Sequence, residues 1–308
     1  MNPHAEALRM KAPFPYFGGK SKVVDIVWAC LGDVSNYVEP FAGSLAVLLS
    51  RPHKPKTETV NDIDCYLSNF WRALSNNPEA VAEAADWPVN EADLLARHKW
   101  LIKQTEFQHK MKTDPFFYDV KIAGWWVWGV CSWIGSGWCV KQANQLPHLG
   151  NAGMGINRKL PHLGDAEMGI KEYFYELSNR LRKVRVACGD WTRVMGESVT
   201  IKHGITGVFL DPPYAMSDKK FYSNASTNCC DAVREWAILN GDNPNYRIVL
   251  CGYAGDYIMP ENWTMKSWKA SGGYGSQSEG QGRENAKKER MWFSSHCLKK
   301  AFQMELYQ

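Results

Sequence analysis

The sequence predicts an α/β protein with a mainly parallel central sheet, and three features of the 308-residue chain support this. Short apolar runs alternate with stretches of helical periodicity, which is typical of a sheet covered by helices on both faces. Four of these runs each end in one acidic residue, and these residues are Glu39, Asp62, Asp190 and Asp211. Ligands bind beyond the carboxyl ends of parallel strands, so the four carboxylates are expected to line one site.

The predicted strands and helices fall on either side of an interruption at residues 76–179. Before it, strands are predicted at residues 36–41 and 57–62, with helices at residues 45–50 and 66–74. After it, strands are predicted at residues 184–190, 207–211, 247–251 and 290–294. The expected organisation is a core formed by residues 1–75 and 180–308, with residues 76–179 inserted between them.

The inserted segment differs from the core in composition. It begins with predicted helices at residues 79–85 and 91–103 and then becomes rich in Trp and Gly. The sequence LPHLGNAGMGI at residues 146–156 recurs as LPHLGDAEMGI at residues 160–170, and its Gly and Pro content predicts two loops or a hairpin. Residues 95–185 hold fourteen Lys and Arg against seven Asp and Glu, although the whole chain has a net charge of only +4. Basic and aromatic residues together are typical of contacts with DNA, and a solvated basic surface is the alternative.

Composition excludes several classes of protein. No apolar run is long enough for a membrane span, and the N-terminus lacks the apolar segment of a signal peptide, so we expect a cytoplasmic protein without a membrane partner. The nine cysteines include no CxxC spacing, which favours free thiols and predicts no metal site.

Residues 211–214, with sequence DPPY, suit chemistry on an aromatic amine. Such an amine is a poor nucleophile because its lone pair is delocalised into the ring. Asp211 offers a carboxylate acceptor for its hydrogens, and Pro212 offers a carbonyl whose geometry is fixed by Pro213. Tyr214 offers a flat face for an extruded base. The motif therefore predicts methyl transfer to the amino group of a base, and a Pro-rich turn is the alternative.

Four motifs, taken in order, resemble those of the Dam-like (class alpha) DNA adenine methyltransferases of bacteria and their phages. They are PYFGGK at residues 15–20, VEPFAGS at residues 38–44, VNDID at residues 60–64 and FLDPPY at residues 209–214. Residues 285–294 also resemble the family, and the likeness covers residues 12–75 and 184–295. It implies a Rossmann-like S-adenosylmethionine-dependent methyltransferase sheet with an inserted, largely helical and loop-rich target-recognition domain.

The resemblance implies roles for individual residues. The loop from Glu39 to Gly43 would wrap S-adenosylmethionine, Asp62 would bind its ribose hydroxyls with Asp64 as the alternative, and Asp190 would bind its adenine. The implied cofactor-binding residues are Tyr16, Phe17, Gly18, Gly19, Lys20, Glu39, Pro40, Phe41, Ala42, Gly43, Asp62, Asp190 and Trp191. The catalytic residues would be Asp211, Pro212, Pro213 and Tyr214, and Phe221 and Tyr222, which follow them, would flank the flipped base and bind DNA. The resemblance assigns no residue in the inserted segment. There, Arg158 and Lys159 are predicted to bind DNA because they are basic residues of the repeat region, and a duplicated surface loop is the alternative.

The predicted function is methyl transfer from S-adenosylmethionine to N6 of a flipped adenine in double-stranded DNA, with S-adenosylhomocysteine as product. The open alternatives are RNA adenine, cytosine N4 in DNA, or a catalytically silent DNA-binding relative. The chain contains no Pro-Cys motif for carbon-5 cytosine methylation and no GxGxxG after its first strand for nicotinamide chemistry. Strict and relaxed target specificity both remain open, as do roles in restriction–modification, as an orphan regulator and in phage anti-restriction.

Overall fold

A seven-stranded sheet forms the centre of the computed structural model, which describes residues 9–16, 19–114, 116–134, 137–140, 155–156, 169–213, 228–268 and 288–299. The strands are β1 (Asn36–Glu39), β2 (Thr57–Asp62), β3 (Trp133–Ile134), β4 (Gly155–Ile156), β5 (Val184–Cys188), β6 (Thr206–Leu210), β7 (Tyr246–Tyr253), β8 (Thr264–Ser267) and β9 (Glu289–Phe293). The main sheet has the order β5-β2-β1-β6-β7-β9-β8, while β3 and β4 form a separate antiparallel pair. Strands β5, β2, β1, β6 and β7 are parallel, and β9 runs antiparallel to both of its neighbours.

Helices cover the sheet, and polar residues at their first turns explain where several of them begin. They are α1 (Val24–Leu31), α2 (Ala46–Leu49), α3 (Cys65–Asn76), α4 (Pro78–Ala85), α5 (Glu91–Ile102), α6 (Thr105–Thr113), α7 (Val120–Ser132), α8 (Ile170–Leu181) and α9 (Asn228–Asn240). The side chains of Asp64, Asn77, Asn90 and Asp119 accept backbone hydrogen bonds at the starts of α3, α4, α5 and α7. Among the described residues, no helix is both long and apolar enough to cross a membrane.

The strands at the centre of the sheet are buried on both faces, which fixes their place between the helical layers. Every residue of β1 and of β6 is buried. Side chains alternate between the two faces: Phe209 and Val249 join one apolar cluster, whereas Val208 and Ile248 join the other. Burying each such side chain stabilises the fold by roughly 1.5–3 kcal/mol. The predicted α/β class and parallel sheet are therefore confirmed.

The inserted segment continues the helical layer of the core. Helix α4 packs on α7 and on α8, and all three pack on α3; Phe70 of α3 shares its apolar cluster with Val81, Ile122 and Phe174. A smaller cluster of Leu94, Trp128 and Trp133 joins α5, α7 and β3. The tandem repeat lies outside the described residues except at residues 155–156 and 169–170. Residues 76–179 as a separate recognition region therefore stay a prediction.

Candidate active site

The chain segments after β1, β2 and β5 are joined at the carboxyl edge of the sheet. Asn61 Nδ2 donates hydrogen bonds to the carbonyl oxygens of Pro40 and Gly189, each at 3.0 Å. Ala42 N donates to Asn61 O at 2.9 Å, and Gly189 N donates to Asp62 O at 3.0 Å. The predicted convergence of these strand ends is thus present. The motif at residues 60–64 includes Asn61, but its linking role was not predicted; the signal was an amide group at the end of a predicted strand.

The loop after β1 has a backbone shape that requires glycine. Gly43 adopts a φ of +47°, and a Cβ atom at this position would lie 2.9 Å from Cδ1 of Tyr16. Gly43 N donates to Asp62 Oδ2 at 3.2 Å, and Gly43 O accepts from Trp71 Nε1 at 3.1 Å. The loop is therefore fixed between the ring of Tyr16 and the carboxylate at the end of β2.

Asp62 and Asp64 have different environments. Asp62 accepts hydrogen bonds from Gly43 N and, at 2.9 Å, from Asp64 N. Burial, followed by the charge of Asp64, raises the pKa of Asp62 to about 7. Asp64 Oδ1 caps α3 by accepting from Tyr66 N at 2.8 Å and Leu67 N at 3.4 Å. The capping role of Asp64 supports Asp62 as the carboxylate that would meet a ligand.

Two aromatic rings, one after β1 and one after β5, meet beside Asp190. The rings of Phe41 and Trp191 are stacked, with centroids 6.3 Å apart. Asp190 is exposed, and its Oδ1 accepts from Thr192 N at 3.0 Å and from Thr192 Oγ1 at 2.5 Å. Asp190 therefore caps the short helical turn that carries Trp191, and this contact uses only one of its two carboxylate oxygens.

A buried ion pair connects the N-terminal motif to the end of β6. Lys20 Nζ lies 2.8 Å from Asp211 Oδ2, and their side chains are 5% and 20% exposed. Burial alone would lower the pKa of Lys20, but Asp211, Cys251 and Glu289 together outweigh that effect and raise it. Glu289 begins β9 and pairs in register with Tyr253 at the end of β7. No role was predicted for Cys251 or Glu289. Cys251 lies on β7, beside β6, and only the antiparallel pairing of β9 with β7 brings Glu289 here.

Glu39 is buried and engaged by protein groups. Its Oε2 accepts a hydrogen bond from the Tyr37 hydroxyl at 3.1 Å, and the backbone of Leu48 also donates to it. Burial is the main cause of a pKa well above the usual range for Glu39. In this arrangement the side chain joins β1 to α2, so contact between Glu39 and a cofactor stays a prediction.

The remaining predicted residues fall into two groups. Pro212 is buried and Pro213 half-buried, and the Pro213 carbonyl accepts a hydrogen bond from the Cys230 thiol of α9. Outside the described residues lie Phe17, Gly18, Tyr214, Arg158, Lys159, Phe221 and Tyr222. Where the structure describes the chain, it contains no group of three or more His, Cys, Asp and Glu residues that could hold a metal ion.

The sheet order, with an antiparallel strand beside β7 and carboxylates at the strand ends, is that of a Rossmann-like methyltransferase fold. Residues 16–122 match the family model of the D12 class N6 adenine-specific DNA methyltransferase. No curated protein matches the chain. The family match supports methylation of adenine N6 in DNA and does not favour the alternatives of RNA adenine, cytosine N4 or a silent relative. The match ends before Asp211, so the roles of the individual site residues stay predictions.

Proposed function

We propose that the protein transfers the methyl group of S-adenosylmethionine to N6 of an adenine flipped out of double-stranded DNA. The observation that carries the proposal is the Lys20–Asp211 ion pair at the end of β6, where the N-terminal motif and the DPPY motif meet. A carboxylate at the end of a central strand, oriented by a buried ammonium group, is placed to receive the amino group of a base.

The described residues at the carboxyl ends of β1, β2 and β5 fit a nucleoside cofactor. Asp62 supplies a strand-end carboxylate that can accept hydrogen bonds from two ribose hydroxyls. The stacked rings of Phe41 and Trp191 supply an apolar surface for a purine, with Asp190 beside them as an acceptor for its amino group. When bound, S-adenosylmethionine supplies a methyl group already activated on a sulfonium, so the chain needs no covalent nucleophile.

The chain's contribution to the reaction is to position the amine. Asp211 would accept a hydrogen bond from one N6 hydrogen, and the Pro212 carbonyl would accept the other, so that the lone pair points toward the methyl carbon. The amine nitrogen would form one bond to that carbon as the carbon–sulfur bond of the sulfonium breaks, the electron pair of that bond would stay on sulfur, and one N6 proton would go to solvent. Tyr214 would stack on the flipped base. Lys20 is a positioning residue, because it orients the Asp211 carboxylate through the 2.8 Å contact.

The same proposal includes the subgroup of enzymes, the cellular location and the biological context. We place the enzyme in the Dam-like group of bacterial and phage enzymes, acting in the cytoplasm of a bacterial cell. Restriction–modification, regulation by an orphan methyltransferase and phage anti-restriction are the three contexts in which such methylation would serve.

Asp211→Asn tests the assigned role because it keeps the size of the side chain and removes its charge. We expect methyl transfer to DNA to fall by about a hundredfold or more. The affinity for S-adenosylmethionine, measured by calorimetry, should stay within about twofold, since Asp211 is not assigned to the cofactor. The matched control is Asp25→Asn on the surface of α1, where the side chain is 72% exposed and both quantities should be unchanged. Loss of cofactor binding in Asp211→Asn, with transfer per bound cofactor intact, would show that the role is misassigned.

A further inference from the structure

Helix α5 of the inserted segment carries an arginine enclosed by tryptophan rings. Arg97 is 6% exposed, and its guanidinium carbon lies 4.3 Å from the ring centroid of Trp128, 4.9 Å from that of Trp125 and 5.1 Å from that of Trp87. Within the described residues its guanidinium has no hydrogen bond or ion pair, and Nη1 is fully buried without a partner. An ordered cation with unused hydrogen-bond donors is therefore held in this cluster.

Packing alone does not account for this arrangement. Ring faces attract a guanidinium, but they do not satisfy its N–H groups, which point outward in its own plane. Asp93, one turn earlier on α5, instead accepts hydrogen bonds from Trp87 Nε1 at 2.6 Å and Asn90 Nδ2 at 2.5 Å. Burying an arginine without acceptors is unfavourable, so an external acceptor would stabilise the site.

A cavity of about 460 Å³ opens beside Arg97, and Trp87, Trp100 and Trp125 also line it. This volume lies within the range of pockets that hold small ligands. A second cation stands near it, because Lys121 Nζ lies 4.5 Å from the ring centroids of both Trp100 and Trp125.

The two carboxylates in the cavity wall have partners within the protein. Glu83 forms an ion pair with Lys171 at 2.9 Å, and Asp93 accepts the two hydrogen bonds described above. The groups of Arg97 that form no hydrogen bond are N–H donors, and they need an acceptor. The cavity therefore suits a ligand with an oxyanion and a flat ring.

The cavity also borders the basic part of the insertion, which supplies Arg97, Trp100 and Trp125 to its wall. Helix α5 contacts β3 and α7 through the cluster of Leu94, Trp128 and Trp133, and Ile156 of β4 packs against the same cluster. Strand β4 is the end of the first copy of the tandem repeat. Residues 95–185 hold fourteen Lys and Arg against seven Asp and Glu, so anionic ligands are attracted to this segment.

We infer that this cavity binds one nucleotide of the DNA substrate outside the site for the target adenine, and this inference rests on the proposed function. Arg97 would donate hydrogen bonds to a backbone phosphate with Lys121 nearby, and the adjoining base would stack on Trp100 or Trp125. Stacking accepts any base, so the cavity would hold the DNA strand without reading its sequence.

The test measures the Kd of a fluorescently labelled double-stranded oligonucleotide for four variants of the full chain. Trp100→Leu and Arg97→Gln should each raise Kd by about tenfold, the size expected for a lost stacking or charge-assisted contact, and Lys121→Gln should raise it by about threefold. The control is Lys99→Gln, which removes an exposed charge two residues from Arg97, on a different side of α5, and should change Kd by less than twofold. Trp100→Leu and Lys121→Gln alter the partly exposed Trp100 and the exposed Lys121, so they test the site even if Arg97→Gln fails to fold.

The outcomes separate this inference from the proposed function. If the wild-type protein methylates DNA while Trp100→Leu and Lys121→Gln keep the wild-type Kd, the cavity does not bind the substrate and the inference is wrong. If deoxyadenosine monophosphate quenches tryptophan fluorescence and these variants abolish that quenching but leave the Kd for DNA unchanged, the ligand is a free nucleotide, which also overturns the inference. If the wild-type protein neither binds nor methylates DNA, the proposed function itself fails.

Discussion

Replacing Lys20 by methionine keeps the volume of the side chain and removes its charge. Lys20 is 5% exposed, and its partner Asp211 at 2.8 Å is 20% exposed, so the pair is largely shielded from water. The substitution would remove the ammonium group that pairs with Asp211 and is attracted by the buried Glu289. Breaking a buried pair by removing one partner costs about 3–5 kcal/mol. Because Asp211 keeps some contact with water, we expect a loss of about 3 kcal/mol in the free energy of unfolding.

Urea unfolding followed by tryptophan fluorescence measures this loss, and an exposed ion pair supplies the control. Lys110 and Glu106 lie 3.2 Å apart on α6 with side chains 48% and 78% exposed, so Lys110→Met should cost at most about 0.5 kcal/mol. Lys20→Met combined with Asp211→Asn should recover at least half of the loss, because the negative charge that Lys20 compensates would then be absent from residue 211. Losses for Lys20→Met and Lys110→Met that agree within about 0.5 kcal/mol would refute the assignment of Lys20 and Asp211 as a buried pair.

Two further predictions concern the cofactor loop and the carboxylate that faces it. The pKa of Asp62 is raised from 3.8 to about 7, and ribose hydroxyls donate to its ionised form, so the affinity for S-adenosylmethionine should rise with pH up to about 7 and then become constant. Calorimetry between pH 5.5 and 8.5 should show this rise in the wild-type protein. An equal rise in Asp62→Asn would exclude Asp62 as its source. Gly43→Ala should destabilise the protein by about 1–3 kcal/mol in urea unfolding, because the new methyl group meets Tyr16 at a φ of +47°. The control Gly196→Ala, with nothing within 4 Å, should change little, and equal effects at the two positions would contradict the account of the loop.

Alternating strands and helices made the core of the sheet predictable from the sequence. The apolar run ending in Asp211 predicted both a strand and its carboxylate, since a buried parallel strand is rich in apolar residues along its length and tolerates polar ones at its end. The preference for Asp62 over Asp64 gains support from the capping of α3 by Asp64. A side-chain cap of this kind is local, so the sequence carries its signal.

Features that depend on distant pairing were not predictable. Residues 124–129 lie in the single helix α7, although the sequence showed only their Trp and Gly content. Glycine lowers helix propensity, but here Gly124 allows close approach to Ala84, and Gly129 allows close approach to Trp138. Glu289 reaches the site only through the antiparallel register of β9 with β7. Neither the close packing at Gly124 and Gly129 nor the register of β9 with β7 is encoded within one segment of the chain.

The identity of the methylated base tests the central claim most directly. Duplex DNA and RNA of mixed sequence would be incubated with the protein and S-adenosylmethionine carrying an isotopically labelled methyl group, then digested to nucleosides and analysed by mass spectrometry. We predict label in N6-methyladenine from DNA, none in N4-methylcytosine or in RNA, and a loss of the label with Asp211→Asn. Label in cytosine or RNA, or undiminished label in adenine with Asp211→Asn, would contradict the account.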